Sequence, residues 1–311
     1  MGRFIIRRLL QMIPVVFGAT LILFVMLFAL GNPIDSIGGE RNLDRSVRQT
    51  IIDKYHLDDS LPKQYISYMG NLAKGDLGES ILQRRPVKRI LGDGMPWSLK
   101  LALTAIAIET FFGIVAGVIS AVRRYSFLDV FTTIGTSVLV AIPVFWLGLM
   151  LQLLFGVFLR NTFIHLPVSG VDAGWRSFIL PALTLASVFT AITARLTRTT
   201  MLEVMRQDYI RTAAAKGLPE RTIVYKHALR NAMIPVITNI GLDFGSLIGG
   251  AILTETVFSW PGIGRELALA VLRKDNPIVI GGTIILIMAF LLVNLLVDIS
   301  YGFLDPRIRY D

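Results

Sequence analysis

The sequence predicts an all-α integral membrane protein with six transmembrane helices, cytoplasmic N- and C-termini, a cytoplasmic helix–turn–helix and an external insert. Three observations carry that fold class. The first is composition: 53% of the 311 residues are hydrophobic and 17% are charged, against about 25% charged in soluble domains. The second is length, since six apolar stretches are each long enough to cross about 30 Å of hydrocarbon at ~1.5 Å per residue. The third is charge placement. Arg3, Arg7 and Arg8, then Arg123 and Arg124, then the cations from Arg195 to Arg230, then Arg307 and Arg309 fall on one side. The opposite short loops hold only Arg160, Arg176, Arg265, Arg273 and Lys274. The positive-inside rule assigns the richer side, with both termini, to the cytoplasm.

The six spans are expected near Leu9–Leu30, Trp97–Val122, Val130–Leu159, Phe178–Ala194, Ala232–Phe258 and Ile278–Tyr301. They divide the chain into an N-terminal segment with the first span (1–31), an external insert (32–96) and a core with five spans (97–311). The first span has a basic leader, but its apolar run is longer than that of a signal peptide. Ala29-Leu30-Gly31 is a poor cleavage site, so the span reads as a retained anchor. Within the insert, Val47, Ile51, Ile52 and Tyr55 recur at helical spacing and predict an amphipathic helix over 44–55. Ser259-Trp260-Pro261-Gly262 reads as a turn closing the fifth span, with Trp260 in the interfacial aromatic belt. A short helix is expected from Ile263 to Leu272.

The most ordered polar stretch is segment 199–231, between the fourth and fifth spans. At its centre stand Asp208, Tyr209, Arg211, Thr212, Ala213, Ala214, Ala215, Lys216 and Gly217. Ala213 to Ala215 predict a smooth small-residue patch, and Gly217 suits a helix C-terminus because it tolerates left-handed geometry. Pro219 fits the first turn of a following helix, with Glu220 complementing its dipole. The expectation is two short helices, Leu202–Lys216 and Pro219–Arg230, forming a docking plug. The alternative is a basic amphipathic helix lying on anionic membrane lipid.

Several chemistries are excluded or weak. The chain has no cysteine, hence no disulfide, thiolate metal site or thiol nucleophile. His56, His165 and His227 are scattered without ligand spacing, so no metal site is expected. There is no Gly-x-x-x-x-Gly-Lys-Ser/Thr loop, no His-Glu-x-x-His and no Gly-x-Ser-x-Gly, so no catalytic residues are assigned. The net charge of +9 reflects cytoplasmic Lys and Arg rather than nucleic-acid binding.

The polar segment resembles the EAA loop of bacterial ABC-importer permeases, with Arg211-Thr212-Ala213 in place of Glu-Ala-Ala and the glycine retained as Gly217. Of the later hydrophobic-x-Leu-Pro element, Leu229 remains in His227-Ala228-Leu229-Arg230, and the proline comes later as Pro235. These departures fit the peptide branch. The resemblance to dipeptide/oligopeptide permeases, the subfamily that also serves nickel and glutathione, runs nearly end to end. It continues through Gly75-Asp76-Leu77-Gly78-Glu79-Ser80, Ile179-Leu180-Pro181-Ala182-Leu183, Thr254-Glu255-Thr256-Val257-Phe258-Ser259-Trp260-Pro261-Gly262, and Leu304-Asp305-Pro306-Arg307.

That resemblance implies a permease subunit in a bacterial inner membrane, itself without cofactor, acting on peptides by alternating access. It implies a second homologous permease, two ABC ATPase subunits binding ATP and Mg, and an external substrate-binding protein. Asp208, Tyr209, Arg211, Thr212, Ala213, Ala214, Lys216 and Gly217 would then meet an ATPase. Glu255, Trp260, Pro261 and Gly262 would form an external gate or a contact for the binding protein. An ionised carboxylate in mid-span is costly, so Glu109 and Asp243 are expected to face protein or water. They line a substrate pathway able to meet a peptide ammonium, or they are protonated acids in interhelical hydrogen bonds. Asn239 and Asn294 join them as pathway candidates or as helix–helix contacts. The competing classes are an ion-driven secondary transporter using Glu109 or Asp243, against which the lack of a visible repeat argues, and an intramembrane hydrolase.

Overall fold

The computed structural model describes residues 2–29 and 59–304. The expected helix over 44–55, His56 and the terminal motif from Asp305 lie outside them. The described residues are helical, with a single isolated bridge between Glu79 and Pro86 and no strand. The helices are α1 (Gly2–Ala29), α2 (Leu61–Ala73), α3 (Val87–Val122), α4 (Phe127–Ala141), α5 (Val144–Leu153) and α6 (Arg176–Val204). They continue as α7 (Asp208–Ala215), α8 (Glu220–Thr222), α9 (Leu229–Val257), α10 (Ile263–Arg273) and α11 (Asn276–Leu304). Wider π-helical turns extend α5 over Leu154–Phe158 and join α8 to α9 over Ile223–Ala228.

Five helical stretches are long and apolar enough to cross a membrane, and α4 with α5 supplies a sixth if the pair counts as one span. That pair occupies the expected span over Val130–Leu159, and the chain bends by 102° between its halves. The cause is local. Pro143 has no N–H to donate, and the residue before a proline is pushed out of helical geometry. Ile142 accordingly takes extended values, φ −84° and ψ 126°.

The chain forms two compact units. The first comprises residues 1–98 and 261–291. In it, Tyr65 of α2 packs edge-on against Phe17 and Phe24 of α1, with ring centroids 5.6 and 5.4 Å away. The Tyr65 hydroxyl donates to the Phe17 carbonyl at 3.1 Å and lies 2.9 Å from Thr20 Oγ1. Ile280 and Ile284 of α11 complete this core. Asp275, buried, gathers the segment before α3 by accepting from Ser80 Oγ at 2.5 Å and from the Ile81 and Leu82 amides at 3.3 Å each. The helix α10 appears where the sequence puts it, its first amide at Ile263 donating to Ser98 Oγ at 2.9 Å.

The second unit comprises residues 99–260 and 292–311, and α6 is its most enclosed span. Small residues make that burial possible, among them Ala182, Ala186, Ala191 and Ala194, all buried. α3 approaches α6 closely at Gly117, where a Cβ would stand 2.6 Å from the Ala194 carbonyl oxygen and 2.5 Å from Thr197 Cβ. Close backbone approach over small residues is the usual way in which helices associate in lipid. α6 also runs past the expected end at Ala194 to Val204, carrying Arg195 and Arg198 on the helix rather than in a loop.

Candidate functional site

The polar segment is built from the end of α6 onward. α6 closes in a tight turn, with the Arg206 amide bonded to Glu203 O at 3.3 Å and the Gln207 amide to Val204 O at 3.0 Å. A fresh helix then starts at Asp208, whose carboxylate suits a helix N-terminus. The expected first helix, Leu202–Lys216, is therefore two pieces: Leu202–Val204 belongs to α6, and α7 covers Asp208–Ala215. The second limb is also corrected, since Glu220 onward runs through the π-helical turn into α9 without a break.

Gly217 ends α7 as the sequence requires. Its φ is +73°, and the Leu218 amide closes back on the Ala213 carbonyl at 3.4 Å, the six-residue closure of a left-handed helix cap. Pro219 then caps the second limb with φ −65° and ψ 144°. The bend is thus written into three residues, Gly217 to Pro219.

α7 has two faces. Ile210 and Ala213 are buried against Val118 and Ala121 of α3, Met201 of α6, and Ile223, Val224, Ala228 and Ala232 of the second limb. The expected small-residue patch is therefore narrower: Ala213 belongs to the floor, and Ala214 and Ala215 remain outside. Asp208, Arg211, Thr212, Lys216 and Gly217 are exposed with them. Tyr209 is 42% exposed and its hydroxyl accepts from Asn231 Nδ2 at 2.7 Å, so it braces α7 against α9. The Arg211–Asp208 contact, at 3.4 Å between two exposed side chains, contributes little. The helix is thus exposed on its outer face and seated on a buried apolar floor.

Three of the four pathway candidates come together. Glu109 of α3 is wholly buried, and its Oε1 accepts from Thr193 Oγ1 of α6 at 2.8 Å. Its other oxygen, Oε2, is buried without a hydrogen-bond partner, and Asp243 on α9 is close enough for the two acids to interact electrostatically. Asp243 Oδ2 in turn accepts from Asn239 Nδ2 at 2.5 Å. Glu109 stands behind Asp243, and of the two only Asp243 reaches the surface. Asn294 is not in this cluster, and its Oδ1 is buried without a hydrogen-bond donor.

The external motif points inward. Glu255 and Trp260 are completely buried, and the Trp260 ring packs edge-on against Phe178 with centroids 4.6 Å apart. The belt position expected for Trp260 is thereby corrected: the indole is an internal wedge. Gly262 is buried too, and Pro261 is partly exposed. Gln152, missed in the sequence, holds the same end of α9, donating to the carbonyls of Val257 at 2.9 Å and Val168 at 2.7 Å. Also missed was an ion pair between Asp129 and Arg198, for which the sequence offered only Ser126-x-x-Asp129 as a helix-start signal. No group of His, Asp or Glu among the described residues has the arrangement of a metal site.

The apolar helices and the polar residues buried between them define a multi-pass membrane protein. The chain belongs to the family of binding-protein-dependent transport system inner membrane components, whose model matches residues 113–310. It is a permease subunit of an ABC importer. It is 41% identical to the di/tripeptide transport system permease protein DppB of Pseudomonas aeruginosa strain UCBPP-PA14, over 99% of this chain and 98% of that one. It is 39% identical to the glutathione transport system permease protein GsiC of Escherichia coli K12, with all of both chains covered. Among solved structures it resembles the MetNI methionine ABC transporter in inward-facing conformations. The TM-score is 0.54 at 16% identity, over 70% of this chain and 96% of that one, a likeness of fold.

Proposed function

We propose that this permease imports short peptides across a bacterial inner membrane, as one half of a pathway formed with a second homologous permease. Full-length similarity to a di/tripeptide permease carries the substrate class. Glutathione, itself a tripeptide and the cargo named for another relative, falls within it. Both termini and α7 lie in the cytoplasm on this reading, and the insert lies outside, where a substrate-binding protein delivers the peptide. Two ATPase subunits bind ATP and Mg. One of them receives the exposed face of α7, through Asp208, Arg211, Thr212, Ala214, Lys216 and Gly217, while Ala213 and Tyr209 hold that face in place.

ATP binding draws the ATPases together, and the floor beneath α7 carries that movement into α3, α6 and α9. The two states differ in stability, and the chain is the bistable element between them. Asp243 and Asn239 contribute to the pathway wall, with Glu109 supporting Asp243 from behind. The buried Glu255–Trp260 segment is the hinge of an outer gate. This reading predicts that vesicles holding the assembled complex and its binding protein take up di- and tripeptides only with ATP. An uncoupler leaves uptake intact when ATP is clamped. Uptake that collapses with the proton gradient at constant ATP would transfer the acids to an ion-driven mechanism.

A further inference from the structure

A second polar centre, outside the residues used above, lies in the unit that carries α7. Asp129, in the first turn of α4, is buried. Its Oδ1 accepts from Arg198 Nε at 2.7 Å and from Ser120 Oγ at 2.5 Å. Its Oδ2 accepts from Arg198 Nη2 at 3.0 Å and from the Tyr125 amide at 2.9 Å. Arg198 Nε also reaches Ser120 Oγ at 3.0 Å. The Tyr125 amide belongs to a turn held at φ +62°, which a bulky residue keeps only when its surroundings fix it.

The placement gives this centre its meaning. Ser120 lies near the end of α3, Asp129 opens α4, and Arg198 is on α6, about 9 Å along the axis before Val204. The same stretches of α3 and α6 carry the floor of α7: Val118 and Ala121 flank Ser120, and Met201 is one turn beyond Arg198. Apolar floor and polar centre therefore share two helices. Packing over small residues resists separation but gives little direction, whereas a two-pronged guanidinium–carboxylate pair holds one geometry.

We infer that Asp129, Arg198 and Ser120 are positioning residues that lock the ends of α3, α4 and α6 into one body. A push on α7 then moves three helices together instead of sliding α6 along α3. This rests on the reading of α7 as the ATPase contact. The proposal places no substrate at the centre. Its product is the number of peptides moved for each ATP split.

The test uses the complete transporter in vesicles, with labelled alanyl-alanine as the probe. Arg198→Lys keeps the charge and loses the fork, and Asp129→Asn keeps the size and loses the charge. Each is expected to lower peptide imported per ATP hydrolysed by about tenfold, the scale of a coupling between sites. Hydrolysis by each assembled complex is retained. The double variant D129N/R198Q leaves no lone buried charge, so it recovers assembly without recovering that ratio. A role in folding alone would lower uptake and hydrolysis together and leave the ratio at the wild-type value, which overturns the inference. The same preparations carry Ala214→Cys for crosslinking. An ATPase captured there with a normal ratio removes the lock and leaves the α7 reading standing. Failure to capture an ATPase removes both.

Discussion

Replacing Gly217 with valine is expected to abolish net peptide uptake while the transporter stays assembled and continues to hydrolyse ATP. The residue is exposed, and a Cβ there would meet no atom within 4 Å, so crowding is not the cause. The cause is its φ of +73°. A β-branched residue in that region costs about 1–3 kcal/mol, and the chain escapes the cost by opening the turn. Opening it swings α7 away from the second limb and lifts Ile210 and Ala213 from their floor. None of the apolar spans depends on that turn. Asparagine tolerates left-handed geometry, so Gly217→Asn retains uptake within about twofold, whereas Gly217→Val loses tenfold or more. Uptake and hydrolysis measured on the same vesicles check this, and a valine variant that transports normally contradicts it.

The second large effect is expected at Glu109, and it depends on which residue replaces it. Glutamine has nearly the size and shape of glutamate, and its carbonyl can accept from the Thr193 hydroxyl as Oε1 does. Glu109→Gln therefore keeps the unfolding temperature of the purified protein close to wild type. Glu109→Ala removes the acceptor of the Thr193 hydroxyl and opens a hole among α3, α6 and α9, a loss of about 2–4 kcal/mol. Thermal unfolding of the two variants in detergent separates them. If glutamine is as damaging as alanine, the site needs an ionised carboxylate, and the pathway reading of Glu109 gains over that of a buried support.

The spans were legible in the sequence because lipid imposes a length and a composition that no other environment requires. The break between α4 and α5 was not, and proline content explains why. Pro14, Pro96, Pro181 and Pro235 all lie inside helices that continue through them. A proline in an apolar run therefore does not announce whether it breaks the helix, since the outcome turns on what satisfies the freed carbonyl. Gly217 and Pro219 declared their turn because each has a backbone preference of its own. The inward face of α7 was hidden, as Ala213 and Ala214 are identical in composition and differ only in which helix lies beneath. The Asp129–Arg198 pair and the meeting of Glu109 with Asp243 join residues far apart in sequence, with no local pattern to connect them. Trp260 misled for the opposite reason: an aromatic residue after a span has a ready explanation at the interface, and here Phe178 claims it instead.

The absence of cysteine permits the most direct test of the central claim, that the outer face of α7 is where this permease meets its ATPase. A single cysteine is placed at Ala214, on that face, and the intact complex is crosslinked over a short range in native membranes, with the adduct identified by mass spectrometry. The account predicts capture of an ATPase subunit, with weaker capture from a cysteine at Ala213 beneath it. A folded protein whose Ala214 cysteine is labelled by a soluble thiol reagent, yet never joins an ATPase, would contradict it.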